Sequence, residues 1–485
     1  MEDMNRTDRL NEAIEREAMF GTAPILKSEK IYGFVDAVLV LAGYVIATWA
    51  YTQGSYEITL VGFKQLLIAG FLGALLMLAI YQLPVILSVR YGIDIWIWLR
   101  TALGRKGVIV MTIAIIIVNW PWYAVCADLF GDSIINLFGL VGIDLSTGIW
   151  KVILGLFCVA LGTFIAYKGL EAITWTTRIL VPLLLAVGVV VAYVAFSSVP
   201  FDVIWNYEPK DTGYAPESMT PYILAVEANF AYVITLVGGM AGIPRLTRTE
   251  SSGYWAGVLS QGVAGTFFMV LGGIMAISTE YAVGEMIDDP TKMLVVLTGI
   301  PALAFCSLLL VAFANVGTQA VGCYLYGITL KSAFPNANYR MLIIIISGYV
   351  AVLVIWGKII DYFGSFLTIG GTIYAPIAAV LLVDFFFIRK QRIDLRSAYE
   401  LSGHNAYEYT NGWNIVGMVC MVIGIFLSLA VYNPLTGAVH IPILFTLTPT
   451  GFSLLGTGII YYVLCQIPSI RSYVLRDRDS LTRSA

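Results

Sequence analysis

The stretch GVIVMTIAIIIVNWPWYAVCADLFGDSIINL, residues 107–137, decides the fold. A helix crosses a bilayer in about 20 mostly apolar residues; this run exceeds that length and carries a proline, Pro121, near its middle. Such a segment has to face lipid or other membrane helices. The rest of the chain is of the same kind. Of its 485 residues 59% are hydrophobic and only 12% charged, with a mean hydropathy of +0.83, whereas soluble domains carry about 25% charge. A soluble protein and a single-anchor receptor are both excluded.

Working outward, apolar runs at 32–53, 63–88, 107–137, 149–167, 172–198, 221–243, 254–279, 300–330, 341–357, 362–388, 412–432 and 441–465 predict an all-α polytopic membrane protein of about twelve transmembrane helices. With the N-terminus inside, 23 of the 28 Lys and Arg residues lie on the cytoplasmic side, and only Lys64, Lys151, Lys210, Lys292 and Lys358 lie outside. Basic loops resist translocation, so the tails, 1–30 and 466–485, are both expected in the cytoplasm of a multi-pass cell-membrane protein. The net charge is −3 and the basic residues are scattered, which gives no nucleic-acid footprint. Cys126, Cys158, Cys306, Cys323, Cys420 and Cys465 fall inside apolar runs and read as small core residues. His404 and His440, the only histidines, sit in or beside connecting segments and support neither catalysis nor zinc. No cofactor and no obligate protein partner is expected.

Glycine and proline interrupt several spans: Gly43 in the first, Pro121 in the third, Gly238 and Gly239 in the sixth, and Gly370, Gly371 and Pro376 in the tenth. Freed backbone groups persist in a membrane only where protein or a wet cavity satisfies them, so matching breaks in two halves mark candidate binding sites. The first and sixth spans lie five apart and therefore run in opposite directions. That fits two five-helix repeats of inverted topology, 31–198 and 199–390, followed by two more spans within 391–465. For any single glycine the competing reading is close helix packing.

Polar residues at depth supply the site candidates. Trp122 lies 15 residues past Gly107, about 22 Å along a helix and beyond the membrane middle. Asn119 is three residues earlier, on the same helical face. An indole beside an amide suits a flat ligand, one stacking and the other reading its edge; a packed tryptophan with Asn119 bonded to a neighbouring helix is the alternative. In the eighth span Asn315, Thr318 and Gln319 fall within one turn and suit a ligand or a cation, although Asn315 and Gln319 are spaced to bond each other. The sixth span carries Glu227, Phe230 and Tyr232. Glu227 lies in its outer part, where a snorkelling or gate role competes with proton or cation binding. Asp128, six residues beyond Trp122, faces elsewhere.

These residues resemble the nucleobase-cation-symport-1 family of cytosine, purine, allantoin and hydantoin permeases, over almost the whole chain. The resemblance rests on Arg100-Thr-Ala-Leu-Gly104 with Gly107, on Trp122-Tyr123, and on Pro244-Arg-Leu-Thr-Arg248. It also rests on the segment from Asn315 to Pro335, and on Pro376 followed by Asp384-Phe-Phe-Phe-Ile-Arg389-Lys390. It implies a LeuT-like fold with substrate held between the first, third, sixth and eighth helices. Trp122 then resembles the family's stacking aromatic and Asn119 its edge-reading amide. Asn315 and Gln319 resemble the amides of the eighth helix. Thr318 resembles a sodium-binding hydroxyl, completed by first-helix carbonyls around Ala42, Gly43, Tyr44, Val45 and Ile46.

Three departures from the family pattern stand out. Arg245 replaces an acid in the motif after the sixth span. The second stacking aromatic aligns with Leu236, close to Gly238, so Tyr232 or Phe230 takes its place or that face is aliphatic. Gly317 or Gln319 occupies the other sodium-binding hydroxyl's position, which weakens a Na+ site and opens proton coupling through Glu227. The resemblance implies a secondary active symporter that imports a small planar nitrogen heterocycle with Na+ or H+ by alternating access, with no catalytic residue. The alternative is an amino-acid, amine or guanidino-compound transporter of the same fold that uses Glu227.

Overall fold

The computed structural model describes residues 23–30, 32–45, 48–169, 182, 186, 188–235, 244–287, 289–400 and 405–476. Helices α1 (Phe34–Val45) and α2 (Thr48–Ile58) form the first span, and α3 (Phe63–Tyr81) and α4 (Leu83–Tyr91) the second. The third is α5 (Ile95–Asn119) with α6 (Pro121–Leu140). There follow α7 (Gly148–Tyr167), α8 (Gly188–Ser198), α9 (Thr220–Thr235), α10 (Glu250–Val283) and the short α11 (Pro290–Thr298). The chain continues through α12 (Pro301–Ala333), α13 (Tyr339–Trp356), α14 (Phe363–Ile388), α15 (Ile415–Val431), α16 (Pro449–Leu464) and α17 (Pro468–Val474). Among the described residues seven helices are long and apolar enough to cross a membrane. They match the runs predicted at 63–88, 107–137, 149–167, 254–279, 300–330, 341–357 and 362–388; in the other five the described residues form shorter helices, and the runs at 32–53, 172–198 and 221–243 lie partly outside the described residues.

The breaks differ from the sequence reading in instructive ways. In the first span residues 46 and 47, between α1 and α2 and just past Gly43, lie outside the described residues, as do Gly238 and Gly239 of the sixth. The third span begins at Ile95, where the Asp94 side chain accepts a bond from the Trp96 amide. It bends at Gly104, whose φ of 75° suits glycine, and hinges at Trp120 because Pro121 has no amide hydrogen to continue the ladder. The tenth span is a correction: α14 runs through Gly370, Gly371 and Pro376 without interruption. Its glycines serve packing instead. A Cβ on Gly370 would lie 2.6 Å from the Thr235 methyl, and one on Gly371 2.0 Å from the Thr450 hydroxyl.

Both described terminal segments pack at one end of the bundle. The Ile25 amide donates to the Gly92 carbonyl at 2.8 Å, Lys30 donates to the Val89 carbonyl, and Arg90 pairs with Glu250 at 2.8 Å. Nearby, buried Arg389 pairs with Asp384 at 2.6 Å and donates to the carbonyls of Thr101 and Val474, which ties α5, α14 and α17 together. At the bundle's centre α2 lies directly on α10. A Cβ on Gly54 would sit 1.7 Å from the Met269 carbonyl oxygen, and one on Gly272 2.1 Å from that of Tyr51. Membrane helices associate through such small residues because lipid provides no hydrophobic drive between them.

Gly54→Ala is expected to destabilise the protein by about 1–3 kcal/mol through forced separation of α2 from α10. Gly348→Ala, where nothing lies within 4 Å of the added carbon, should leave thermal unfolding in detergent unchanged. Equal melting temperatures for the two variants would contradict the contact.

Candidate functional site

The hinge at Trp120 sends neighbouring side chains opposite ways, since residues two apart on a helix differ by about 200°. Trp120 donates from its indole nitrogen to the Ile346 carbonyl at 2.5 Å and packs edge-on against Tyr123 and Tyr326. Trp122 faces α2, α9 and α14. Its ring centre lies 5.0 Å from Trp49 on α2, 5.0 Å from Phe366 and 5.7 Å from Phe363 on α14, and 6.4 Å from Tyr232 on α9. Trp49 in turn stands 5.1 Å from Tyr232. These five buried rings meet at steep angles and form an aromatic enclosure.

Amides lie in the surrounding helices. The Thr48 hydroxyl donates to Asn315 Oδ1 at 2.5 Å, joining α2 to α12. Asn315 Nδ2, Asn119 Oδ1 and the Trp122 indole nitrogen are buried with no hydrogen-bond partner among the described residues. Buried polar atoms are nearly always paired, so three orphans on the residues around one enclosure ask for a ligand.

The remaining sequence candidates are placed as follows. Gln319 packs against Gly162 of α7 and donates to Cys323 Sγ at 3.7 Å, and the Cβ of Gly162 would come 2.5 Å from its side chain. Its Oε1 is also an orphan among the described residues. Thr318 donates to the Ala314 carbonyl of its own helix at 3.1 Å. Phe230 lies against Gly451 of α16 rather than in the enclosure. Ala42, Gly43, Tyr44 and Val45 close α1, and Val45 converges with the Tyr232 hydroxyl on Gly265 of α10. Leu236 and Gly238 lie outside the described residues. Asp128 pairs with Lys151 at 3.8 Å, away from the enclosure.

Glu227 is buried at the start of α16. Its Oε2 accepts from the Thr450 amide at 3.1 Å and its Oε1 from the Thr450 hydroxyl at 2.6 Å, so the carboxylate faces the positive end of that helix. Four participants are absent from the sequence reading: Thr48, Trp49, Phe363 and Phe366. Trp49 sits near the end of an apolar run, where a tryptophan reads as an interface anchor. Its one distinguishing signal is its position six residues past Gly43. Phe363 and Phe366 open α14 and carry no polar neighbour to single them out.

Apolar helices of membrane-spanning length, in this order around a buried aromatic enclosure, define a multi-pass membrane protein of LeuT-like fold. The family of permeases for cytosine/purines, uracil, thiamine and allantoin matches residues 24–452, and the chain belongs to that family, the nucleobase-cation-symport-1 group. Among its relatives are a purine-uracil permease of Arabidopsis thaliana, 21% identical over 71% of this chain, and a hydantoin permease of Microbacterium maritypicum, 23% identical over 79%. The matched part spans 60% of the plant permease and 74% of the bacterial one. Two structures of the Mhp1 transporter share the fold. The inward-facing one aligns with a TM-score of 0.76 at 18% identity over 96% of each chain. The closed one, with bromovinylhydantoin bound, aligns with a TM-score of 0.73 at 17% identity, covering 96% of this chain and 98% of its own. A sodium-coupled sialic acid symporter aligns at 0.61 with 12% identity, over 94% of this chain and 98% of its own.

Thr450→Val removes one donor from a buried carboxylate and is expected to cost about 1.5–3 kcal/mol. The check is chemical unfolding in detergent at neutral pH, with Thr446→Val, an exposed position, as the comparison. A Thr450 variant as stable as the parent would contradict the contact.

Proposed function

We propose that the protein is a secondary active symporter, not an enzyme, that imports a small planar nitrogen heterocycle of the nucleobase or hydantoin class across the cell membrane with a cation, Na+ or H+. The observation that carries this reading is the aromatic enclosure of Trp49, Trp122, Tyr232, Phe363 and Phe366 with unpartnered amide atoms on Asn119 and Asn315. Flat heterocycles offer two faces to aromatic rings and an edge of alternating donors and acceptors to amides. The family membership supports the same class, since its description names cytosine, purines, uracil, thiamine and allantoin.

In this reading the rings separate when a flat ligand enters, with Trp49 moving on α2 relative to Trp122 on α6. Rocking of the half-helices against their surroundings then exposes the enclosure to one side or the other. The binding energy acts through its difference between the two arrangements. Both termini lie in the cytoplasm in this reading. Glu227 is committed to the N-terminus of α16, which leaves it poorly placed to hold a cationic amine in the enclosure.

A thermal-shift screen with nucleobases, allantoin, hydantoins and guanidino amines, each with and without sodium, tests the substrate class. Stabilisation by a planar heterocycle is expected; stabilisation by amines alone would overturn the reading. With the heterocycle so found, Trp122→Ala and Trp49→Ala are each expected to weaken binding at least tenfold, about 1.4 kcal/mol or more, in protein that remains folded. Unchanged affinity removes the residue from the site. Thr318→Ala should flatten the sodium titration of binding if sodium is the coupled ion, and identical titrations in variant and parent would remove Thr318 from a cation site.

A further inference from the structure

We propose that Glu57, on α2, is a proton-binding site through which transport is coupled, an inference that rests on the transport reading above. Glu57 lies one residue from the end of α2, opposite the terminal segments, and its side chain is fully buried. Its Oε1 accepts from Gln53 Nε2 at 2.7 Å and its Oε2 from Asn229 Nδ2 of α9 at 2.8 Å. No lysine, arginine or histidine pairs with it among the described residues. A carboxylate held at depth by neutral amides alone is costly as an anion, and a bound proton cancels the charge.

The two amides are built to serve both forms. Each gives an N–H to the carboxylate, while Gln53 Oε1 and Asn229 Oδ1 are buried without a partner among the described residues. An amide presents a carbonyl oxygen on one side and an NH2 on the other, and a half-turn exchanges them. Once a carboxyl oxygen carries a proton and becomes a donor, Gln53 can turn its free oxygen toward it, while Asn229 keeps its NH2 on Glu57 and on the Ala225 carbonyl. A hard metal cation instead gathers about six oxygen ligands. Here the side chains supply four.

The arrangement also links the proton to the enclosure. Trp49, Gln53 and Glu57 recur every four residues along one face of α2, and Asn229 and Tyr232 are one turn apart on α9. The same two helices therefore touch at two rungs, Trp49 with Tyr232 and Glu57 with Asn229. A ligand that parts the first rung works against the second.

The charged groups on the surrounding elements are engaged elsewhere. Glu227 on α9 faces Thr450, Lys64 on α3 donates to Asn206, and Glu280 on α10 binds Lys210 and Tyr207. Asp128 on α6 binds Lys151. The flanking titratable groups on α2 are Tyr51, packed on Phe268, and Tyr56, packed on Phe363.

The test uses the full chain in lipid vesicles. A pH-difference infrared spectrum of the wild type, without sodium or substrate, is expected to contain a carboxylic-acid band that Glu57→Gln removes and Glu227→Gln retains. An identical spectrum in Glu57→Gln, or loss of the band on adding sodium at fixed pH, overturns the assignment. If Glu57→Gln does not fold, Glu57→Asp, which shortens the side chain but keeps the carboxyl, is expected to displace the band, and an unmoved band overturns the proposal. With a heterocycle that binds, Glu57→Gln should retain substrate counterflow and lose accumulation driven by a pH gradient; accumulation equal to the wild type overturns the coupling role. A screen in which no heterocycle binds removes the transport reading alone, because the infrared assignment requires no ligand.

Discussion

The contact between α2 and α10 sets the position of everything else in the site. Gly54 rests on the Met269 carbonyl and Gly272 on that of Tyr51, so two helix backbones approach as closely as backbones can. Lipid offers no hydrophobic drive to hold α2 in place. Backbone contact over about one turn supplies that constraint. With α2 so held, Thr48 reaches Asn315 on α12, Trp49 completes the ring cluster, and Glu57 is carried into the interior instead of ending in a loop.

The two ends of the bundle are built differently. Near the terminal segments, charges are paired: Arg389 with Asp384, Arg90 with Glu250, and the chain from Ile25 to Lys30 laid along Gly92 and Val89. Around α2 and α9 the contacts are rings edge-on to rings and single amide bonds, each weaker and less directional than a buried ion pair. A molecule made this way yields first where the rings meet, which is where the proposed ligand would enter.

Much of the fold was legible in the sequence because length and hydropathy are cumulative signals: runs such as 149–167 or 341–357 read as spans residue by residue. The hinge before Trp122 was legible too, since proline acts locally. The glycines of the tenth span misled because glycine permits a break without requiring one, and only the arrival of Thr235 and Thr450 against α14 shows what Gly370 and Gly371 are for. Trp49, Phe363 and Phe366 were not legible because an aromatic residue near the end of an apolar run looks the same whether it meets lipid headgroups or three other rings. Glu57 was hidden for a related reason. Its segment, Thr-Gln-Gly-Ser-Tyr-Glu at 52–57, is polar enough to read as a connection, and its burial depends on helices far away in the chain.

The two buried carboxylates on α2 and α9 show why residue type at depth says less than partners do. Glu227 meets a backbone amide and a hydroxyl at the N-terminus of α16, an anchorage that the helix dipole reinforces. Glu57 meets two side-chain amides, of which Gln53 can present either a donor or an acceptor while Asn229 is also bonded to the Ala225 carbonyl. The first environment suits a structural anchor between α9 and α16. The second suits a group that changes its charge, because neither form leaves it without a partner. From sequence alone Glu227 is the more conspicuous of the two, standing in an apolar run, yet it is Glu57 that shares both of its helices with the aromatic enclosure.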